Sequence, residues 1–251
     1  MSSFNVISSS NDIYQKNRLT PCKQTAYYTA MRLLLCVLLG GSWLVACTSH
    51  DITGQVSATL STVSADSRLN VFITSFSTAG DFTNGFSDVS GTDCSNAGDA
   101  IDKVNCACAA EAGSYNLTGN YFAWLSTLTV YARCNIQGTQ SSSCTDSSSS
   151  LPYYTFGKNA SEAAKLFSNN YTSLVSGNLS NPPSSTSTTR VWTGSDTSGV
   201  NDFNVCNNWG SNSSATSGMT GSANSSTGNW ARDTTEPCSN PLPFYCFQKA
   251  D

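Results

Sequence analysis

The sequence predicts an α+β domain that is held by disulfide bonds and carries long polar loops. Short segments rich in β-branched and aromatic residues are separated by long runs of Ser, Thr, Asn and Gly. Helical patterns are few, and eight cysteines are spread through the same part of the chain. We therefore expect one folded domain at 68–251.

In the first half of this domain, LNVFITSF at 69–76 predicts a strand because it is rich in β-branched and aromatic residues. The alanine-rich segment CACAAEAG at 106–113 predicts part of a helix that stops at Gly113. YFAWLSTLTVYARC at 121–134 predicts one or two further strands.

In the second half, NASEAAKLFSNNYTSL at 159–174 predicts a helix that begins near Ser161, a suitable cap residue. TRVWTGSD at 189–196 predicts a strand that enters a turn. Residues 210–229 are nearly all small and polar, which predicts a long loop. The segment 229–248 ends in an aromatic, strand-like stretch.

An export signal is visible in MRLLLCVLLGGSWLVAC at 31–47. Arg32 precedes an apolar stretch that is shorter than the ~20 residues needed to span a bilayer. The stretch ends in LVAC, which resembles a bacterial lipobox, in which the cysteine thiol receives a diacylglycerol. We expect 31–46 to be a lipoprotein signal peptide and Cys47 to be the lipidated first residue. The alternative is an ordinary secretory signal.

The segments that flank this signal carry no fold pattern. Residues 1–30 show neither helical nor strand periodicity, and Met31 begins a complete signal by itself. We expect 1–30 to be an over-extended N-terminus, the alternative being a long basic region of the signal. Residues 47–67 are polar and lack aromatic residues, which is typical of a tether.

The charge balance excludes a nucleic-acid partner. Four of the 12 basic and one of the 16 acidic residues lie at 1–46, which leaves 8 basic and 15 acidic residues and a net charge of −7. Nucleic-acid binding requires a basic surface, and no basic cluster is present. Charged residues make up 11% of the chain, which is more typical of exported proteins than of cytosolic enzymes.

The sequence contains few residues that are suited to catalysis or metal binding. The only histidine, His50, lies beside the lipid anchor, and no phosphate-binding loop, dinucleotide motif or zinc-protease motif occurs. The only closely spaced cysteines form a C-x-C pair at 106–108, which is a poor zinc motif. We expect no enzymatic activity, no cofactor and no metal site.

Cysteine usage predicts four disulfide bonds. Cys22 and Cys36 belong to the removed segment, and Cys47 is used for lipidation, so an even set remains for an exported domain. Spacing alone leaves roughly a hundred pairings open. The remaining eight are Cys94, Cys106, Cys108, Cys134, Cys144, Cys206, Cys238 and Cys246.

A family resemblance is carried by VWTGSD at 191–196, CNNW at 206–209 and the aromatic cysteine pair within 230–248. Together with VFITSF and with the cysteine that precedes YFAWLS, these motifs resemble the endostatin-like, C-type-lectin-like surface lipoproteins of leptospires. The resemblance covers about 69–248 and implies a C-type-lectin-like fold.

The same resemblance implies the disulfide pattern. It places two nested bridges as Cys108–Cys246 and Cys206–Cys238. The remaining four cysteines lie outside the family pattern, and we expect them to pair locally as Cys94–Cys106 and Cys134–Cys144.

The resemblance also implies a function at the surface of the bacterial outer membrane. Such lipoproteins bind host matrix proteins such as laminin and fibronectin, and some bind complement regulators or plasminogen. Trp209 and Trp230 flank the expected long loop, so they are our candidate ligand-binding residues, with burial in the core as the alternative.

Two other functions stay open: a carbohydrate-binding lectin and a surface protein with a purely structural role. Calcium-dependent lectins carry a Glu-Pro-Asn type of loop and a Trp-Asn-Asp strand. Here Cys238 replaces the amide after Glu236 and Pro237, and WARD keeps only Trp230 and Asp233. Calcium is bound by about six to eight oxygen ligands, and these residues do not supply that many.

Overall fold

The structure is a computed structural model that describes residues 68–84, 86–145, 150–156, 164–184 and 189–250. The expected signal peptide, the lipidated Cys47 and the tether lie outside the described residues. The expected helix start at Ser161 also lies outside them. No helix within the described ranges is long and apolar enough to cross a bilayer.

In the described part of the chain, eight short strands form two sheets, and with the helices they make the domain mixed α+β as predicted. The strands are β1 (Leu69–Ile73), β2 (Tyr121–Ala123), β3 (Tyr153–Thr155), β4 (Lys165–Ser168), β5 (Arg190–Trp192), β6 (Ser217–Ser222), β7 (Thr234–Pro237) and β8 (Tyr245–Gln248). One sheet has the order β2-β8-β1-β3-β4, and the other has the order β5-β6-β7. Strand β1 pairs antiparallel with β8 and parallel with β3.

The longest helix, α1 (Ala100–Ser114), contains the predicted helical segment and extends it toward its N-terminus. A capping box fixes its start, because Asp99 accepts from the backbone N–H groups of Ile101 and Asp102. Its buried face lies against β2, where Asn105 Oδ1 accepts from the N–H of Ala123 at 2.9 Å. Two shorter helices, α2 (Ala132–Asn135) and α3 (Tyr171–Val175), follow β2 and β4.

Four disulfide bonds join the eight cysteines of the domain in the pairs expected above. They are Cys94–Cys106, Cys108–Cys246, Cys134–Cys144 and Cys206–Cys238. All of them lie between positions 94 and 246, so the bridged part of the domain begins after β1. Strand β1 is held by hydrogen bonds and packing alone.

Of three further sequence-based assignments, two are correct only in part and one is wrong. Within 121–134 only Tyr121–Ala123 is a strand, and the segment ends in α2. The helix start expected in 159–174 lies outside the described residues, and the part that is described contains β4, which pairs with β3, followed by the start of α3. The small, polar segment 210–229 contains β6, the central strand of the three-stranded sheet.

The small residues of β6 are explained by close packing. A Cβ at Gly218 would lie 2.8 Å from the Cys206 sulfur and 2.8 Å from the Trp192 ring, and a Cβ at Gly221 would overlap the carbonyl of Trp230. Only glycine fits where backbone, disulfide and indole meet. The glycine-rich composition of this segment, which predicted a loop, therefore arises because large neighbouring groups leave no space for side chains at Gly218 and Gly221.

Candidate functional site

A left-handed turn of four non-glycine residues, CNNW at 206–209, is the most unusual backbone feature of the structure. The φ angles of Cys206, Asn207, Asn208 and Trp209 lie between 48° and 60°. The N–H of Trp209 donates to the carbonyl of Val205 at 2.6 Å, which closes the turn. Each residue in this conformation costs roughly 1–2 kcal/mol, and asparagine tolerates it better than most. Strain of this kind persists only where the surroundings enforce it.

Packing and a disulfide enforce the turn at both ends. Cys206 is bonded to Cys238. The Trp209 ring lies parallel to the Phe82 ring, with centroids 5.0 Å apart and planes 12° apart. The Trp209 indole N–H donates to the carbonyl of Ser126 at 2.7 Å. The two exposed asparagines between them are therefore held rigidly.

The assignment of Trp209 and Trp230 as ligand-binding residues is corrected by their burial. Both side chains are fully buried, so neither ring faces a ligand. Trp230 packs on Trp124, with ring centroids 4.7 Å apart, and edge-on against Phe167 at 5.5 Å. Both rings therefore belong to the hydrophobic core.

Two other hydrophobic residues are exposed. Phe203 is 81% exposed and Leu128 is 53% exposed, and they are the large hydrophobic residues of the described chain that solvent reaches most. Phe203 also has a φ of 69°, which is unusual for an aromatic residue. Asn201 Oδ1 accepts from its N–H at 2.7 Å, which fixes this conformation. Sequence analysis missed both residues because exposure depends on tertiary packing.

The segments that carry these residues contact each other. The N–H of Leu128 donates to Asn208 Oδ1 at 2.9 Å. A Cβ at Gly194 would lie 2.8 Å from the Ser126 carbonyl, and the Gly194 carbonyl accepts from the N–H of Asp202 at 3.0 Å. We call residues 127–129 and 201–208 together the loop surface.

A polar cleft of about 340 Å³ opens beside the loop surface. The start of α1, the 127–129 loop and the left-handed turn form its walls. Its lining residues are Thr83, Gly98, Asp99, Ala100, Ile101, Lys103, Thr127, Thr129 and Asn208. Spacing in sequence gave no sign of this cleft, since its walls come from four separate segments that lie between Thr83 and Asn208.

The residues considered for calcium form an ion-pair cluster with Arg190. The Arg190 guanidinium donates to Glu236 Oε1 and lies 3.7 Å from Asp233 Oδ2. Glu236 Oε2 accepts from Asn240 Nδ2 at 2.9 Å. In the described ranges, no group of three or more His, Cys, Asp or Glu side chains is arranged to hold a metal ion. A cation would compete here with a guanidinium already in place.

No protein-family model matches the chain, and no curated protein matches it significantly.

Proposed function

We propose that the chain is a lipid-anchored protein of the bacterial outer-membrane surface that binds host extracellular-matrix proteins such as laminin and fibronectin. Complement regulators and plasminogen are the other partners that the family resemblance implies. The anchor in this proposal is Cys47, at the end of the lipobox-like LVAC motif. The binding element is the loop surface.

The observation that carries this proposal is Phe203. Its ring is 81% exposed, and its backbone is in the left-handed region. Both features lower the stability of the free protein. Burial of such a ring against a partner contributes about 1.5–3 kcal/mol. Strained, exposed residues on a rigid scaffold are common at binding sites.

Rigidity of the loop surface supports a protein partner. The Asn201 side chain fixes the backbone of Phe203, and the Arg232 guanidinium donates to Asp202 Oδ2 at 2.6 Å. A surface that is ordered before binding loses little conformational entropy when it docks. Aromatic side chains at such positions are frequent interaction hot spots.

The alternative of a calcium-dependent lectin receives less support. By analogy with calcium-dependent lectins, a calcium site would use Glu236 and Asp233. Arg190 already contacts both of these carboxylates. A protein-binding role needs no metal.

Surface plasmon resonance with the full chain tests the proposal. Immobilised laminin, fibronectin, plasminogen and complement regulators are each exposed to wild type, to Phe203→Ser and to Tyr154→Ser. Tyr154 is a matched aromatic control, because it lies half-buried on β3, outside the loop surface. We expect saturable binding to at least one ligand, lost in Phe203→Ser and kept in Tyr154→Ser. Absence of saturable binding to all of them, or equal binding by Phe203→Ser, would overturn the proposal.

A further inference from the structure

We propose that the polar cleft beside α1 binds a sugar unit that carries a carboxylate, such as a hexuronic acid. The volume of about 340 Å³ lies at the small end of the range of known ligand pockets, which is about 300–1,000 Å³. Its lining brings together an ammonium, a carboxylate, hydroxyls and an amide. This site shares Thr127, Thr129 and Asn208 with the loop surface, but it involves neither the calcium-type residues nor Phe203, so its ligand can be tested separately from the proposed function.

The first argument is the environment of Lys103. Its side chain lines the cleft although the residue is only 9% exposed. The ammonium donates to the carbonyl of Thr83, and no carboxylate of the described residues lies within 4 Å of it. A buried charge with a single neutral partner is costly. A ligand carboxylate at this point would supply the missing counter-charge and a charge-assisted hydrogen bond.

The second argument is the mixture of donors and acceptors. The side chain of Asn208 uses its oxygen for the N–H of Leu128, which leaves its amide N–H groups to donate into the cleft. Asp99 also lines the cleft and can only accept when it is ionised; its Oδ1 already accepts from two backbone N–H groups, and its Oδ2 can accept from a ligand. A ligand that pairs with Lys103 and also donates to Asp99 must carry a carboxylate and hydroxyl groups.

This mixture favours an acidic sugar over an acidic protein side chain. An Asp or Glu side chain would satisfy Lys103 but would bring no donor for Asp99. The hydroxyls of a sugar can donate to Asp99 and exchange hydrogen bonds with Thr83 and Thr129, which are exposed at the cleft. The start of α1 does not attract the anion by itself, because Asp99 and Asp102 already cap it.

The third argument is the position of Asn208. It belongs to the left-handed turn that Cys206 and Trp209 hold rigidly, with a φ of 58°. The turn fixes the amide in the cleft wall before any ligand arrives. A donor that is oriented in advance binds with less loss of conformational entropy.

Ligand-observed NMR on the purified full chain tests this site. The probes are glucuronate, glucose, and acetate as a carboxylate without hydroxyls. We expect saturable binding of glucuronate that is about tenfold tighter than binding of either comparison compound, since each lacks one half of the recognised chemistry. Equal binding of all three, or no saturable binding of glucuronate, would overturn the proposal.

Two variants locate the site. Lys103→Met keeps the apolar stem and should weaken glucuronate binding by about tenfold. Asn208→Gly removes the amide and suits the left-handed backbone, so it should fold normally and weaken binding several-fold. Lys249→Met, which removes a lysine that directly follows β8 and does not line the cleft, is the matched control and should bind as wild type. Unchanged glucuronate binding in folded Asn208→Gly and Lys103→Met would show that the cleft is not the site.

Discussion

Arg190 donates a hydrogen bond from its guanidinium to Glu236 Oε1, and this contact joins the two edge strands of the three-stranded sheet. Strand β6 lies between them, so the pair spans the sheet. The same guanidinium lies near Asp233, and the two carboxylates share one positive charge.

We therefore expect the protein to be insensitive to calcium. Neither millimolar calcium nor EDTA should shift its unfolding temperature, because the carboxylates are already paired with Arg190. Arg190→Ala should lower the free energy of unfolding by at most ~1 kcal/mol, since the side chain is 45% exposed. Arg232→Ala, which removes the ion pair with Asp202, is the matched control for loss of a single surface ion pair. A calcium-dependent rise in the wild-type unfolding temperature would contradict this prediction.

Phe203→Gly should weaken binding without lowering stability. Glycine adopts the left-handed backbone freely, which relieves roughly 1–2 kcal/mol of strain. It adds flexibility to the unfolded chain, which costs ~0.5–1 kcal/mol. The free energy of unfolding should therefore stay level or rise by up to ~1.5 kcal/mol in chemical denaturation, while matrix-protein binding falls. A clear loss of stability would mean that Phe203 supports the fold.

The four disulfides should open in two groups. Cys106 and Cys144 are half-buried, whereas both cysteines of each nested bridge are fully buried. Mild reduction followed by alkylation and mass spectrometry should label the Cys94–Cys106 and Cys134–Cys144 pairs first. The nested pairs should react only under denaturing conditions. Early labelling of Cys108 or Cys246 would be inconsistent with the structure.

The loop-entropy model predicts which bridge matters most to stability. Cys108–Cys246 joins residues 138 positions apart and should contribute about 5 kcal/mol, whereas Cys134–Cys144, with a separation of 10, should contribute about 3 kcal/mol. Paired Cys→Ala variants, unfolded by urea without reductant, measure the difference. The prediction fails if loss of the short bridge costs more.

Alkaline pH should destabilise the domain through its buried tyrosines. Burial, aided by a hydrogen bond to Glu111, raises the pKa of Tyr115 to about 12. Burial also raises the pKa of Tyr153 and of Tyr245. The neutral forms stabilise the fold below the ordinary tyrosine pKa of 10.0, and this contribution is lost as the pH rises toward and through about 12.

Tyrosinate absorbance and circular dichroism, recorded along one alkaline titration, test this loss. The late-titrating tyrosines should ionise together with unfolding. Tyr115→Phe should show a smaller loss of stability over the same pH range. Full ionisation of every tyrosine near pH 10 in a folded protein would refute it.

Cys47→Ser should abolish fatty-acid labelling and leave the precursor uncleaved at this position. The thioether needs a thiol, and two or more acyl chains give stable anchoring. Cys36→Ser, in the same signal segment, is the matched control and should still be labelled. Wild-type protein should enter the detergent phase in a partition experiment. Labelling of the Cys47→Ser protein would disprove the lipoprotein assignment.

Local patterns predicted the features that depend on local physics. The segment LNVFITSF gave β1, and the alanine-rich segment gave the core of α1, since β-branched and alanine residues favour these backbones by themselves. The family resemblance predicted the nested disulfide bonds Cys108–Cys246 and Cys206–Cys238.

The features that were missed depend on distant partners. Strand β6 lacks β-forming residues because Trp192, Trp230 and the Cys206 sulfur leave no room for side chains at Gly218 and Gly221. The exposure of Phe203 and the cleft at Lys103 arise where far-separated segments meet. Neither leaves a periodic pattern in the sequence.

The placement of the disulfides has a mechanical consequence. A tensile load applied at residue 68 reaches β1 first, and no covalent crosslink stops it before Cys94. Residues 68–93 can be drawn out to roughly 90 Å, at about 3.5 Å per residue, while the four disulfide bonds still crosslink the rest of the domain. The domain thus contains an extensible segment in series with a covalently crosslinked one. Extraction of this segment would absorb work, and it would also withdraw Phe82 from Trp209, so tension at residue 68 would loosen the left-handed turn of the loop surface.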